Sequence, residues 1–193
     1  MRKSAQVLKG GFTLVELLVV IAIIAILAAV VVLIINPLEL TRRTRDSARL
    51  SDLASLQQAI NVAVQEATDT GEAILCTGGS YPCGGSGGAG RSGGTGAGTR
   101  NSNGTGWVKV NLSSQQSVSV PTLPVDPLNN DTYHYTYCAD NDAWEINAVL
   151  ESDKEDDRMA NDGGDENDIA TTGRYEVGSN LTLITAGGTP CGY

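Results

Sequence analysis

The sequence predicts an α+β protein: a long N-terminal helix, first transmembrane and then amphipathic, with a small antiparallel β-sheet packed on its C-terminal half. Three observations predict it. Leu17 to Ile35 form an apolar run of 19 residues without a polar side chain, long enough to cross a bilayer as a helix. Leu50, Leu53, Ile60 and Val64 then recur at helical spacing. Beyond residue 100, short runs rich in Trp, Tyr, Val and Ile alternate with polar residues between turn signals.

The first run must be helical, because lipid offers no partners to backbone N–H and C=O groups. The leader before it, MRKSAQVLKGG, carries Arg2, Lys3 and Lys9 and no acid. A secretory signal peptide would need a shorter apolar core followed by a small-residue cleavage site. Here Gly10 and Gly11 precede the run. Arginines at 42, 43, 45 and 49 nearly balance the basic leader across the span, so charge alone does not set orientation. The cysteines and the Gly-rich region read as exported, which leaves the N-terminus in the cytoplasm. Glu16 stands at the head of the run, and a carboxylate placed there is a functional candidate, the alternative being a residue held at the interface.

Asn36-Pro37 interrupts the helix, since Pro37 removes a backbone donor and clashes with the preceding turn. The helix then resumes with an apolar face toward a sheet and Asp52, Ser55, Gln58 and Asn61 elsewhere. Gly71 reads as its stop. Residues 84–106 are almost entirely Gly, Ser, Thr, Asn and Ala and predict a mobile surface loop. Strands are expected at Trp107–Leu112, around Tyr133, Tyr135 and Tyr137, at Trp144–Leu150, at Tyr175 and Val177, and at Leu181 and Leu183. They suggest a small antiparallel sheet on the amphipathic helix.

Composition narrows the function. The formal net charge of -9 argues against a protein that coats nucleic acid. The arginines at 42–49 and the carboxylates of 145–168 are read either as solvated surface or as faces that meet between copies. Aromatics make up 5% of the chain, so the core is modest and needs a staple. The four cysteines, Cys76, Cys83, Cys138 and Cys191, supply one: an even count in an exported region fits two disulfides. Zinc is the weaker reading, with no C-x-x-C pair and His134 as the single histidine. That histidine falls in an expected strand, and the chain has neither G-x-S-x-G nor a P-loop. No catalytic set emerges.

The string KGGFTLVELLVVIAIIAILAAV resembles the N-terminus shared by type IV prepilins and type II secretion pseudopilins. The resemblance implies cleavage between Gly11 and Phe12 by a membrane-bound prepilin peptidase, N-methylation of Phe12, and Glu16 as the assembly glutamate that pairs with the Phe12 amine of a neighbouring copy. It divides the chain into a leader (1–11), a transmembrane and assembly helix (12–35), an amphipathic helix (36–70) and a sheet domain (71–193). The implied partners are identical and related pilin subunits in a helical filament, an inner-membrane assembly platform with its assembly ATPase, and membrane lipid before assembly. The implied destination is a cell-surface pilus or an envelope-spanning pseudopilus.

Two further strings extend the resemblance. LPVDPLNNDTYHYTY looks like the pseudopilin pattern, and LESDKEDDRMANDGGDENDI resembles the acidic loop of major pseudopilins, which binds calcium. The implied calcium ligands are Asp153 and Asp168, with Asp162 and Asp165 as additional carboxylates; a solvated acidic loop is the alternative. Among the three possible connectivities, the short flexible separation favours Cys76–Cys83. Cys138–Cys191 follows by elimination and resembles the C-terminal staple of many pilins. Three functions remain open: a pilus subunit for adhesion, motility or DNA uptake, a secretion pseudopilin, and a single-pass envelope protein that never polymerises.

Overall fold

A computed structural model describes residues 11–166 and 173–193, and for residues 33–35 the backbone alone. Most of the leader and Asp168 therefore lie outside the described residues. The chain divides into two units, the first ending at Thr41 and the second running from Arg42 to Tyr193.

Helix α1 spans Leu14–Ile35. It ends where the sequence places the interruption: Asn36 takes a left-handed conformation, φ 44°. Pro37 opens α2, Pro37–Glu66, at a position where its missing N–H costs nothing. Helix α2 buries Leu53, Leu56, Ala59, Ile60 and Ala63, the periodic stripe expected of it. It stops at Glu66, whose carboxylate accepts the N–H groups of Gln116 and Ser117. Gly71, expected as a stop, instead begins the short helix α3, Gly71–Leu75, with Thr70 as its N-cap. A Cβ at Gly71 would fall 2.2 Å from Asp142 Oδ1, so close approach explains the glycine.

Four antiparallel strands form the sheet in the order β1-β2-β3-β4: Cys83–Gly84, Tyr135–Asp140, Ala143–Ala148 and Tyr175–Gly178. A two-residue turn joins β2 to β3, with Asn141 and Asp142 both at positive φ, the geometry that suits the twist of a tight hairpin. The short helix α4, Asp156–Ala160, precedes β4. The strands β5, Ile184–Thr185, and β6, Cys191–Gly192, pair in parallel near the C-terminus.

One sheet face carries Tyr135, Tyr137, Trp144, Ile146, Ala148 and Val177 into a common core with α2. The Tyr135 hydroxyl reaches Asp52 of α2 at 2.9 Å, and that of Tyr137 reaches the Leu75 carbonyl at 2.7 Å. The opposite face is covered as well. Cys138 joins Cys191, Leu183 and Ile184 in a second apolar cluster, and Thr136, Glu145, Asn147 and Glu176 are buried on the same face. The disulfides Cys76–Cys83 and Cys138–Cys191 staple α3 to the sheet edge and the C-terminal tail to β2.

Two expectations are corrected. Residues 84–106 are not a loop hanging in solvent. Gly85 donates to Tyr137 O, Ser92 to Tyr135 O, and Gly90 O accepts from Tyr137, so the segment lies along β2. Its glycines permit that contact: a Cβ at Gly84 would sit 2.1 Å from Tyr137 O. Residues 107–112 are core without being a strand. Trp107, Val108, Val110 and Leu112 are all buried, while the local pairings are isolated bridges, Thr99 with Gly106 and Asn103 with Asn111.

The arginine stretch is also used inside the chain. Arg49 is fully buried and meets Asp126 at 2.6 Å, Asp46 at 2.7 Å and Glu151 at 2.7 Å. Arg45 also pairs with Glu151. Asp46 in turn accepts the N–H groups of Glu151 and Ser152. This knot ties the first half of α2 to the loops at 126 and 151. Removing one partner of a buried pair leaves uncompensated charge and costs about 3–5 kcal/mol. We expect Arg49→Ala to lower the melting temperature by roughly 10 °C, checked by thermal denaturation; a shift within a degree or two would show the knot to be dispensable.

His134 is buried, and Arg91 Nε donates to its Nε2 at 2.9 Å. Burial, with Arg174 and Arg91 nearby, pushes its pKa down to about 4 from 6.5. The neutral ring is the folded form, so the unfolded chain binds the extra proton and stability falls as pH drops from 6.5 toward 4. His134→Gln keeps an acceptor for Arg91 and cannot take that proton. Urea titrations across this range should show a smaller acid-induced loss in the variant; parallel losses would exclude His134 as a contributor.

Candidate processing and assembly site

The first turn of α1 is built by a capping box. Thr13 is the N-cap, and its Oγ1 accepts the Glu16 N–H at 3.2 Å. Glu16 Oε2 reaches back to accept Thr13 N–H at 2.9 Å and Thr13 Oγ1–H at 2.8 Å. Two N–H groups that a helix start leaves without intrahelical partners are thereby served. A carboxylate also sits favourably at the positive end of the helix dipole. The local sequence Thr-Leu-Val-Glu therefore lowers the cost of a charge at the head of an apolar helix.

Before the cap, Gly11 and Phe12 are exposed, Phe12 to 82%. A Cβ at Gly11 would meet nothing within 4 Å. The peptide between them stands clear of the helix and is open to an enzyme. After the cap, the span Leu14–Val32 is long and apolar enough to cross a membrane, and none of it is buried inside the molecule.

Residues 8–32 match the family model of the prokaryotic N-terminal methylation motif. The chain carries the signature of type IV pilins and pseudopilins. Comparison with curated proteins and with solved structures returned no match. The prepilin-type motif covers Gly11, Phe12, Thr13 and Glu16 together, and it implies processing by prepilin peptidase and assembly with pilin subunits. The apolar helix with this motif is consistent with a membrane-anchored, exported protein.

The acidic stretch is placed differently from a ready metal site. Asp153 and Asp165 are exposed. Asp162 spends both oxygens on backbone, accepting Gly164 N–H at 3.0 Å and Glu176 N–H at 2.7 Å. It therefore caps the start of β4. Among the described residues no group of three Asp, Glu, His or Cys side chains is arranged to hold a metal ion. Glu166 accepts the Ala186 N–H and the Tyr193 hydroxyl, tying the loop to the C-terminal tail. Sequence reasoning missed Thr13, whose signal was the Thr-x-x-Glu spacing, and Glu166, whose partners lie 20 and 27 residues away.

Because a side chain at Gly11 would touch nothing, Gly11→Leu tests recognition by the peptidase without disturbing the helix. We expect the variant to stay full length in the membrane fraction, seen by electrophoresis and intact mass. Normal shortening would show that Gly11 is not read.

Proposed function

We propose that the protein is a structural subunit of a type IV pilus-like filament, cleaved between Gly11 and Phe12, N-methylated at Phe12, and assembled through α1 for adhesion, motility or DNA uptake. The observation that carries this reading is an apolar helix headed by a prepilin-type motif and unburied within its own chain. Such a surface must lie in lipid or against other copies. The reading asks for no catalysis by the chain itself.

Cleavage creates a cation at Phe12, one residue before the N-cap. In lipid, the capping box and helix dipole hold Glu16 near the interface. In a filament, the Phe12 amine of a neighbouring copy supplies the counter-charge as water is excluded, and the pair fixes the axial register. Such pairs serve register well because a misplaced copy leaves a charge buried and alone. An inner-membrane platform and its ATPase supply the work of extraction.

A second reading, a secretion pseudopilin that drives protein export, is favoured by the acidic segment at 151–168 and by Leu-Pro-Val-Asp-Pro at 123–127. Both readings share the assembly step.

The capping box offers a clean separation of roles. Glu16→Gln keeps a capping-box side chain and removes the charge. Thr13→Ala keeps the charge and loses a cap worth about 1 kcal/mol. We expect Glu16→Gln to be processed and membrane-inserted yet to form no filaments by electron microscopy, while Thr13→Ala assembles. If Glu16→Gln polymerises normally, Glu16 is a helix cap and the non-polymerising envelope protein becomes the better reading.

A further inference from the structure

Four buried side-chain atoms without a hydrogen-bond partner lie on the second face of the sheet: Thr136 Oγ1, Glu145 Oε1, Asn147 Nδ2 and Glu176 Oε1. Their residues are neighbours by register. Thr136 pairs with Asn147, Asn147 pairs with Glu176, and Glu145 lies two residues before Asn147 on β3. Glu145 is 0% exposed and Glu176 2%. The other oxygen of each is occupied by backbone: Glu145 Oε2 accepts Leu183 and Ile184 N–H at 2.8 and 3.0 Å, and Glu176 Oε2 accepts Glu166 N–H at 3.3 Å.

The charge around them is one-sided. Burial pushes both carboxyl groups up, and the facing Glu145 pushes Glu176 further. Asp162 bonds the Glu176 backbone, Asp165 acts on Glu145, and buried Glu166 bonds the loop and tail. The buried Arg174 is engaged with Asn147 Oδ1 at 3.2 Å and stacks 3.7 Å from the centre of the Tyr193 ring. Arg91 is engaged with His134. A shared proton would neutralise one glutamate and leave the rest of this negative charge facing Arg174. A divalent cation would neutralise both glutamates. The loop backbone already lies against the site: a Cβ at Gly164 would fall 1.7 Å from Glu176 Oε2.

We infer that Glu145 and Glu176, with the Thr136 hydroxyl, hold a hard divalent cation of the calcium class on the sheet face beneath the acidic loop. The ligands are strand residues, distinct from the Asp153, Asp162, Asp165 and Asp168 set that the loop sequence implies. Asn147 Nδ2 is a donor and serves an ion-bound water. Oxygen donors of mixed charge suit calcium better than magnesium, and so few protein oxygens fit the weak sites of exported modules, with dissociation constants of about 10⁻⁴–10⁻³ M. The inference does not depend on filament formation.

The test is thermal denaturation of the full-length protein in detergent, in chelator and in millimolar calcium. Wild type should gain about 5 °C or more with calcium. Glu145→Gln/Glu176→Gln should show no gain, and Asp153→Asn should keep it. Thr136→Val, nearly isosteric and safe for folding, should raise the calcium midpoint by about tenfold. No gain in wild type would assign the pair a shared proton. A gain that survives in Thr136→Val with an unchanged midpoint, or that Asp153→Asn abolishes, would move the ion to the loop; each result overturns the inference.

Discussion

Helix α1 buries none of its Leu14–Val32 span within the molecule, and every other feature of the N-terminal region answers to that constraint. Nineteen apolar residues facing water would cost far more than the whole stability of a small domain. The surface therefore has two environments open to it, lipid and the apolar helices of other copies. Neither alternative gives a carboxylate much solvation, so Glu16 must carry its own local support. The capping box with Thr13 supplies it before assembly. Cleavage ahead of Phe12 then creates the charge that can support it afterwards. Processing, anchoring and polymerisation become three consequences of one unburied helix.

The second unit solves the opposite problem, which is how to build a rigid body from few large apolar residues. Glycine-rich chain lies close along β2 and covers it with backbone rather than side chains. Charged groups replace apolar ones at two places: the Arg49 knot that holds α2 to the loops at 126 and 151, and the carboxyl-rich face beneath the C-terminal tail. Two disulfides close the arrangement at α3 and at the tail. Disulfides and ion pairs are the usual supplements when a core is small.

What the sequence revealed followed local rules. The apolar span, the amphipathic stripe of α2 and the strands at Tyr135, Trp144 and Tyr175 all announce themselves by periodicity or composition over a few residues. The Gly11-Phe12 and Thr13–Glu16 region is legible for the same reason, being a contiguous string. Hidden features depend on contacts distant in sequence. Arg49 meets Asp126 77 residues away, and nothing near Arg49 distinguishes it from the exposed Arg42. Glu145 looked like the solvent side of an alternating strand, because alternation reports two faces and not what covers the second. The segment 84–106 read as a loop by composition, although its glycines serve backbone approach. Trp107–Leu112 read as a strand from its apolar residues, although its backbone finds no continuous partner strand.

The central claim is that the unburied helix is completed by other copies once a new N-terminus exists at Phe12. Intact-mass and N-terminal peptide analysis of protein taken from sheared or purified filaments tests it most directly. The account predicts chains that begin at Phe12 and carry one added methyl group on its amine. Filaments composed of chains that still begin at Met1 would contradict it.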